Sequence, residues 1–177
     1  MSRTPGTVYL LDANVLIDAH NKYYAVDMVP EFWDWLLYSA SEGDIAMPLE
    51  TFEEVRGGAD AKKDLLNEWL CRDAVEEALV LAEEVDTGIL VRVMNAYAPD
   101  LTDSEVEQLG RDPFLITYGL VRPQQRVVVS NEVSKPSKQR ANRKVPDVCR
   151  QVGVACCDTF AMLRALGFRT GWAAKSG

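Results

Sequence analysis

The sequence predicts an α/β fold, a central and mostly parallel sheet with helices on both faces. Three observations point to it. The candidate strands are short and apolar almost throughout, as in Thr7–Leu11 and Val127–Val129, which is the pattern of a strand buried on both faces. They alternate with stretches of helical periodicity, as crossover connections require. Polar residues stand where those apolar runs stop: Asp12 after the first, and Ser130-Asn131-Glu132 after the later one. In open parallel sheets the site lies beyond the carboxyl ends of the strands, so these positions are where function is expected.

The elements follow in order. Strand Thr7–Asp12 leads into a helix from Asn14 or Val15 to about Asn21, and Tyr23–Val29 reads as a loop. Pro30 opens a helix whose residues Phe32, Trp35, Leu36 and Ser39 share a face. Gly43 ends it, Asp44–Met47 forms a short strand, and Pro48 opens a helix from Leu49 to Arg56 closed by Gly57-Gly58. Helices are expected over Ala61–Cys71, Asp73–Glu84 and Thr87–Tyr97, the last stopped by Pro99. Thr102 or Asp103 caps another, and Asp112-Pro113 starts the next. Strand Arg126–Ser130, a basic loop Asn131–Lys144, a helix from Val145, a strand within Val152–Cys157 and a helix Thr159–Leu166 complete the order. One domain over 1–177 is expected, with its core at about 7–168 and a weakly ordered tail at about 169–177.

Composition narrows the chemistry. Apolar residues at 47% and charged residues at 26% are an ordinary globular mixture. No apolar run is long enough to span a membrane, and the first residues lack an apolar signal core, so a cytoplasmic location without membrane contact is expected. Cys71, Cys149, Cys156 and Cys157 include no Cys-x-x-Cys pair and read as small buried hydrophobes in a reducing compartment. With His20 the single histidine, Ser-His and Cys-His catalysis are disfavoured. A net charge of −8 argues against a protein that simply coats nucleic acid, although Lys135, Lys138, Arg140, Arg143 and Lys144 form a local basic cluster.

Four acids occupy comparable junctions: Asp12 after the first strand, Glu54 on the helix after the Ile45 strand, Asp112 at a helix start, and Glu132 after Val127–Ser130. Singly, each has a plain structural reading. Asp12 and Asp112 could be helix N-caps, Glu54 a solvated helix residue and Glu132 a loop residue. Together, at strand ends that converge, they could meet in one crevice. Carboxylates at close range cannot all ionise cheaply, and a divalent cation removes the conflict. Oxygen-only ligands suit Mg²⁺ or Mn²⁺, which can activate water for phosphodiester displacement.

The order and context of these motifs resemble the PIN-domain nucleases, especially the VapC-like toxins and a related uncharacterised PIN-like family. "LLDANVLID" is similar to the first PIN motif, carrying Asp12; "TFEEV" to the second, which selects Glu54; "DPFLI" to the third, carrying Asp112. "VVVSNE" resembles the fourth, with Glu132 where the usual pattern is Thr-x-Asp. "KVPDVC" and "FAMLRALG" are similar to the PIN-like subgroup, so the resemblance runs from about Val8 to Phe168. It implies a three-layer α/β/α sandwich and Mg²⁺- or Mn²⁺-dependent cleavage of RNA by a toxin held inactive by an antitoxin protein. It further implies that Asn14 supports Asp12 and that Ser130 hydrogen-bonds near the fourth acid. The chain departs from the smallest relatives by a helical insertion at about 60–110, between the second and third acidic motifs.

Neighbouring residues offer alternatives. Glu50 shares a helix face with Glu54 and is its rival; Asp18 reads as an exposed helix acid, and Asp158 as an N-cap or a peripheral acid of the site. The basic cluster could track an RNA backbone or be a solvated loop. A homodimer is left open. The competing function is a PIN-like binding module for protein or RNA that kept the fold and lost catalysis. A haloacid-dehalogenase-like phosphatase would need a second aspartate where Asn14 stands, and a receiver domain finds no clean match.

Overall fold

Four strands frame the molecule: β1 (Val8–Leu11), β2 (Ile45–Ala46), β3 (Arg126–Val129) and β4 (Ala155–Cys157). They lie in the order β2-β1-β3-β4 and every pairing is parallel, with Leu11 opposite Val129 and Val129 opposite Cys157. The computed structural model describes residues 6–58 and 64–175. Its helices are α1 (Ala13–Asp18), α2 (Pro30–Ser41), α3 (Leu49–Arg56), α4 (Leu65–Leu70) and α5 (Asp73–Leu79), then α6 (Thr87–Tyr97), α7 (Asp103–Leu109), α8 (Asp112–Val121), α9 (Val145–Val152) and α10 (Thr159–Ala165). None is long and apolar enough to cross a membrane.

The strand pleat sends neighbouring side chains to opposite faces. Leu11 and Val129 enter one core, with residues of α1–α5 and α10 including Phe32, Trp33, Trp69 and Met162. Leu10 and Val128 enter the other, under α6, α8 and α9, with Tyr97, Ile116 and Cys149. These two cores make the fold a three-layer α/β/α sandwich, as the apolar strands led one to expect. The parallel chain direction brings the ends of β1 and β3 to the same edge, which places Asp12 beside Ser130.

Several boundaries differ from the sequence reading. After α1 the chain continues as a π-helical turn, Ala19–Tyr23, closed by the Tyr24 amide donating to the Ala19 carbonyl at 2.6 Å. Helix α5 stops at Leu79 instead of reaching Glu84, because Met47 takes the following backbone. The Met47 amide donates to the Leu79 carbonyl and its carbonyl accepts from the Leu81 amide, both at 2.8 Å. The insertion thus touches the sheet edge. The start expected at Ala61 lies outside the described residues; α4 is described from Leu65, capped by the Asp64 carboxylate accepting from the Leu66 amide. Within the described part of the tail, Trp172–Lys175 form a short 3-10 turn. It docks there through the Trp172 indole, which donates to the Glu31 carbonyl at 3.0 Å and stacks on Tyr38.

One close approach fixes the α8 layer. A Cβ on Gly119 would meet Val154 Cγ1 at 2.9 Å and Val128 Cγ2 at 3.0 Å, so only glycine lets the helix lie this near β3. Gly119→Ala is expected to lower stability by ~1–3 kcal/mol through overpacking. Urea denaturation of wild type and variant measures it.

Candidate functional site

Asp12 leaves β1 at the first position past the strand, where its amide donates to the Val129 carbonyl at 2.9 Å. It holds the N-cap position of α1 without making a side-chain cap, so its carboxylate serves something else. Oδ2 accepts from Ser130 Oγ at 2.6 Å and from Asn14 Nδ2 at 2.9 Å. Asn14 in turn accepts the Asn131 amide at 3.0 Å, so the two strand ends are laced together by side chains. Asp12 is only 5% exposed. Burial raises its pKa to about 6, against the Ser130 hydrogen bond, with the charges of Glu132 and Glu54 pushing the same way as burial.

Asp112 starts α8, after the turn at Gly110, whose positive φ of 56° suits a residue without a side chain. Its carboxyl is pushed up to about 8, mainly by burial and then by Asp12, Glu132 and Glu54, with Lys144 opposing. Glu54 comes from α3 and stands at the same turn: a Cβ on Gly110 would lie 3.6 Å from its Oε1. Although Glu54 is exposed, the protein around it still pushes its carboxyl upward, and the Arg111 guanidinium opposes this. Asp12, Glu54 and Asp112 therefore share one electrostatic neighbourhood at the carboxyl edge of the sheet.

Glu132 belongs to that neighbourhood by charge, but its oxygens are engaged. Oε2 accepts the Val145 amide at 2.8 Å, capping α9, and Oε1 pairs with Lys144 Nζ at 3.1 Å. Each of the oxygens expected to help hold a metal thus already has one partner within the protein. Among the described residues no three His, Cys, Asp or Glu side chains gather closely enough to hold a metal ion between them. The donor chemistry of Asp12, Glu54 and Asp112 still suits a hard cation. Mg²⁺ is commonly held by one or two carboxylates, with water completing its shell.

The remaining candidates separate. Glu50 accepts from the Tyr118 hydroxyl at 3.2 Å and is not among the groups that raise Asp12 or Asp112. Asp158 caps α10, accepting the Ala161 amide at 2.7 Å. Asp18 is not a free surface acid: it pairs with Lys22 at 2.7 Å and accepts from Asn131 Nδ2 at 3.0 Å. Asn131, which sequence reasoning passed over, also accepts from the Thr159 hydroxyl at 2.8 Å and so ties the β3 end to α1 and α10. Its position directly after Ser130 was the available signal.

The basic cluster divides too. Arg140 grips Glu105 with two bonds of 2.7 and 2.8 Å and Asp100 at 2.7 Å, which holds Glu105 at a pKa of about 2. Arg143 donates to the Ala96 carbonyl and to Gln151, and Lys144 is paired with Glu132. Lys135 and Lys138 are exposed and make no ion pair among the described residues. They line a polar cleft of about 330 Å³ with Asp112, Glu132, Arg143 and Lys144. A second hollow, at Arg122–Gln125, precedes β3 and so lies at the opposite edge of the sheet.

Fold and site together define an α/β sandwich with an acidic crevice at the carboxyl ends of its parallel strands. The chain belongs to the family described as domain of unknown function DUF4411, whose model matches residues 9–170. No curated protein matches it.

The raised carboxyls give a pH test. Asp12 and Asp112 bind protons more tightly folded than unfolded, so the stability they contribute is fully present below their unfolded pKa of 3.8. It is lost as pH rises through about 6 and then about 8. In metal-free buffer the melting temperature is expected to fall between about pH 4 and about pH 8. Asp112→Asn should flatten that fall and exceed wild type at the upper end by at least ~1 kcal/mol. Thermal melts across the pH range measure both.

Proposed function

We propose that the protein is a divalent-metal-dependent endoribonuclease of the PIN type, the cytoplasmic toxin of a toxin–antitoxin pair. The observation that carries this reading is the coupling of Asp12, Glu54 and Asp112 at the carboxyl edge, where Asp12 and Asp112 each raise the need for a counter-charge. Asp12, Asp112 and Glu54 would hold Mg²⁺ or Mn²⁺. When bound, the cation supplies an activated water and charge stabilisation for the phosphodiester.

The chain's own residues do the positioning. Ser130 and Asn14 fix the rotamer of Asp12 by two hydrogen bonds to one oxygen. Glu132 secures the start of α9 and keeps Lys144 at the cleft wall. Lys135 and Lys138 give the cleft a cationic rim that favours a phosphate backbone, in a protein otherwise carrying net charge −8. An antitoxin would inhibit by covering that cleft.

A second reading keeps the fold as a binding module for RNA or protein. Two facts favour it: both oxygens of Glu132 have partners within the protein, and no three acids close around one point among the described residues.

Purified protein incubated with structured RNA separates the two. Cleavage is expected with Mg²⁺ or Mn²⁺ and none with EDTA. Asp12→Asn and Asp112→Asn should each lose at least ~100-fold, while Glu132→Gln, whose oxygen can still cap α9, should lose ~10-fold or less. Folded protein that binds RNA without cutting it under any cation would favour the binding module.

A further inference from the structure

The cleft that holds Asp112 also carries a pair of neutral amides. Gln108, the next-to-last residue of α7, donates from Nε2 to Asn142 Oδ1 at 3.0 Å. Both side chains are exposed, and both line the cleft with Asp112, Lys135 and Lys138. Gln108 Oε1 and Asn142 Nδ2 make no hydrogen bond among the described residues, so the joined amides keep an acceptor and a donor for a ligand. The turn that presents Asn142 is held at a cost. It is the 3-10 turn Arg140–Asn142, and Arg140 has a φ of 54°, a left-handed conformation that residues with a side chain rarely adopt. The Arg140 guanidinium holds it there by bonding Glu105 of α7 and Asp100. Arg143, directly after the turn, is pinned to the Ala96 carbonyl and to Gln151. Helix α7 and the turn thus meet as one wall of the cleft.

We propose that Gln108 and Asn142 form a specificity element, hydrogen-bonding the edge of one unpaired RNA base seated in this cleft. Lysines at a phosphate carry no sequence information, whereas side-chain amides match the donors and acceptors of a base edge. Lys135 and Lys138 then hold the phosphates, and the amide pair selects the base. At about 330 Å³ the cleft is at the lower end of small-ligand pockets, a size for one base turned out of its stack and not for a duplex. The inference rests on the ribonuclease reading for the identity of the ligand. It adds that RNA is chosen by base, through residues of α7 and the turn before α9 that hold no metal.

Binding in EDTA tests it without cleavage. A pool of short random-sequence RNAs is selected on the wild-type protein and sequenced. The favoured oligomer and its variant changed at the preferred base are then compared by fluorescence anisotropy. Wild type should separate the two by ~10-fold or more in Kd. Gln108→Ala and Asn142→Ala should each shrink that ratio to about two-fold or less, chiefly by weakening the favoured oligomer. Lys135→Ala should weaken both alike and keep the ratio. Asn142→Asp keeps the oxygen that Gln108 bonds and removes only the donor, so it should also abolish the ratio while melting as wild type does. A wild-type protein that binds no RNA or shows no base preference overturns the proposal. So does a ratio that survives these substitutions, which would leave the amides as a tie between α7 and the turn. Cleavage is scored separately. Base preference lost in the variants of a protein that cuts no RNA supports the proposal and sinks the nuclease reading; cutting with a preference untouched by them does the reverse.

Discussion

A carboxylate buried at the end of a parallel strand is the constraint on which the carboxyl edge depends. Asp12 cannot be left alone there, because an isolated buried charge is too costly to keep. The chain answers in two ways. Ser130 and Asn14 donate to a single oxygen of Asp12, and Asn14 reaches back to the Asn131 amide. Those bonds join the exit of β1 to the exit of β3, next to the backbone bond from the Asp12 amide to Val129. The same side chains that solvate the charge therefore fix where the two strands end.

Those bonds solvate Asp12 without neutralising it. Asp112, Glu132 and Glu54 bring further negative charge, and Asp112 is driven up to about 8. One acid is satisfied inside the protein: Glu132 is bound to Lys144 and the α9 amide end. Burial and mutual repulsion leave Asp12 and Asp112 holding protons more tightly than free carboxyls do. The insertion is built against the sheet as well: Glu83 pairs with buried Arg126 at the start of β3, the edge opposite Asp12, and Met47 bridges to Val80.

Much of this was legible in the sequence. The apolar runs at Val8–Leu11 and Val127–Val129, with polar residues immediately after them, predict a parallel sheet and the edge at which its polar residues collect. Asp12 and Asp112 were readable because each adjoins a strand end or a helix start; the family resemblance implied the support of Asp12 by Asn14 but put Ser130 near the fourth acid, and its hydroxyl donates to Asp12. Three features were not readable. The engagement of Glu132 depends on Lys144 and Val145, which fold back across an irregular loop. Arg140 looked like a nucleic-acid contact, but its partners Asp100 and Glu105 lie 35 to 40 residues earlier. Helix α5 ends at Leu79 because a strand far back in the chain takes its backbone, a competition that local periodicity does not record.

The central claim is that Asp12 and Asp112 together bind a divalent cation. Calorimetric titration of Mn²⁺ into metal-free protein at about pH 7 tests it most directly, because Asp112, pushed up to about 8, then still carries a proton that a bound cation would displace. The account predicts saturable binding that weakens at least ~10-fold in both Asp12→Asn and Asp112→Asn, with proton release measurable in buffers of different ionisation enthalpy. Absence of binding by folded wild-type protein, or binding untouched by either substitution, would contradict it.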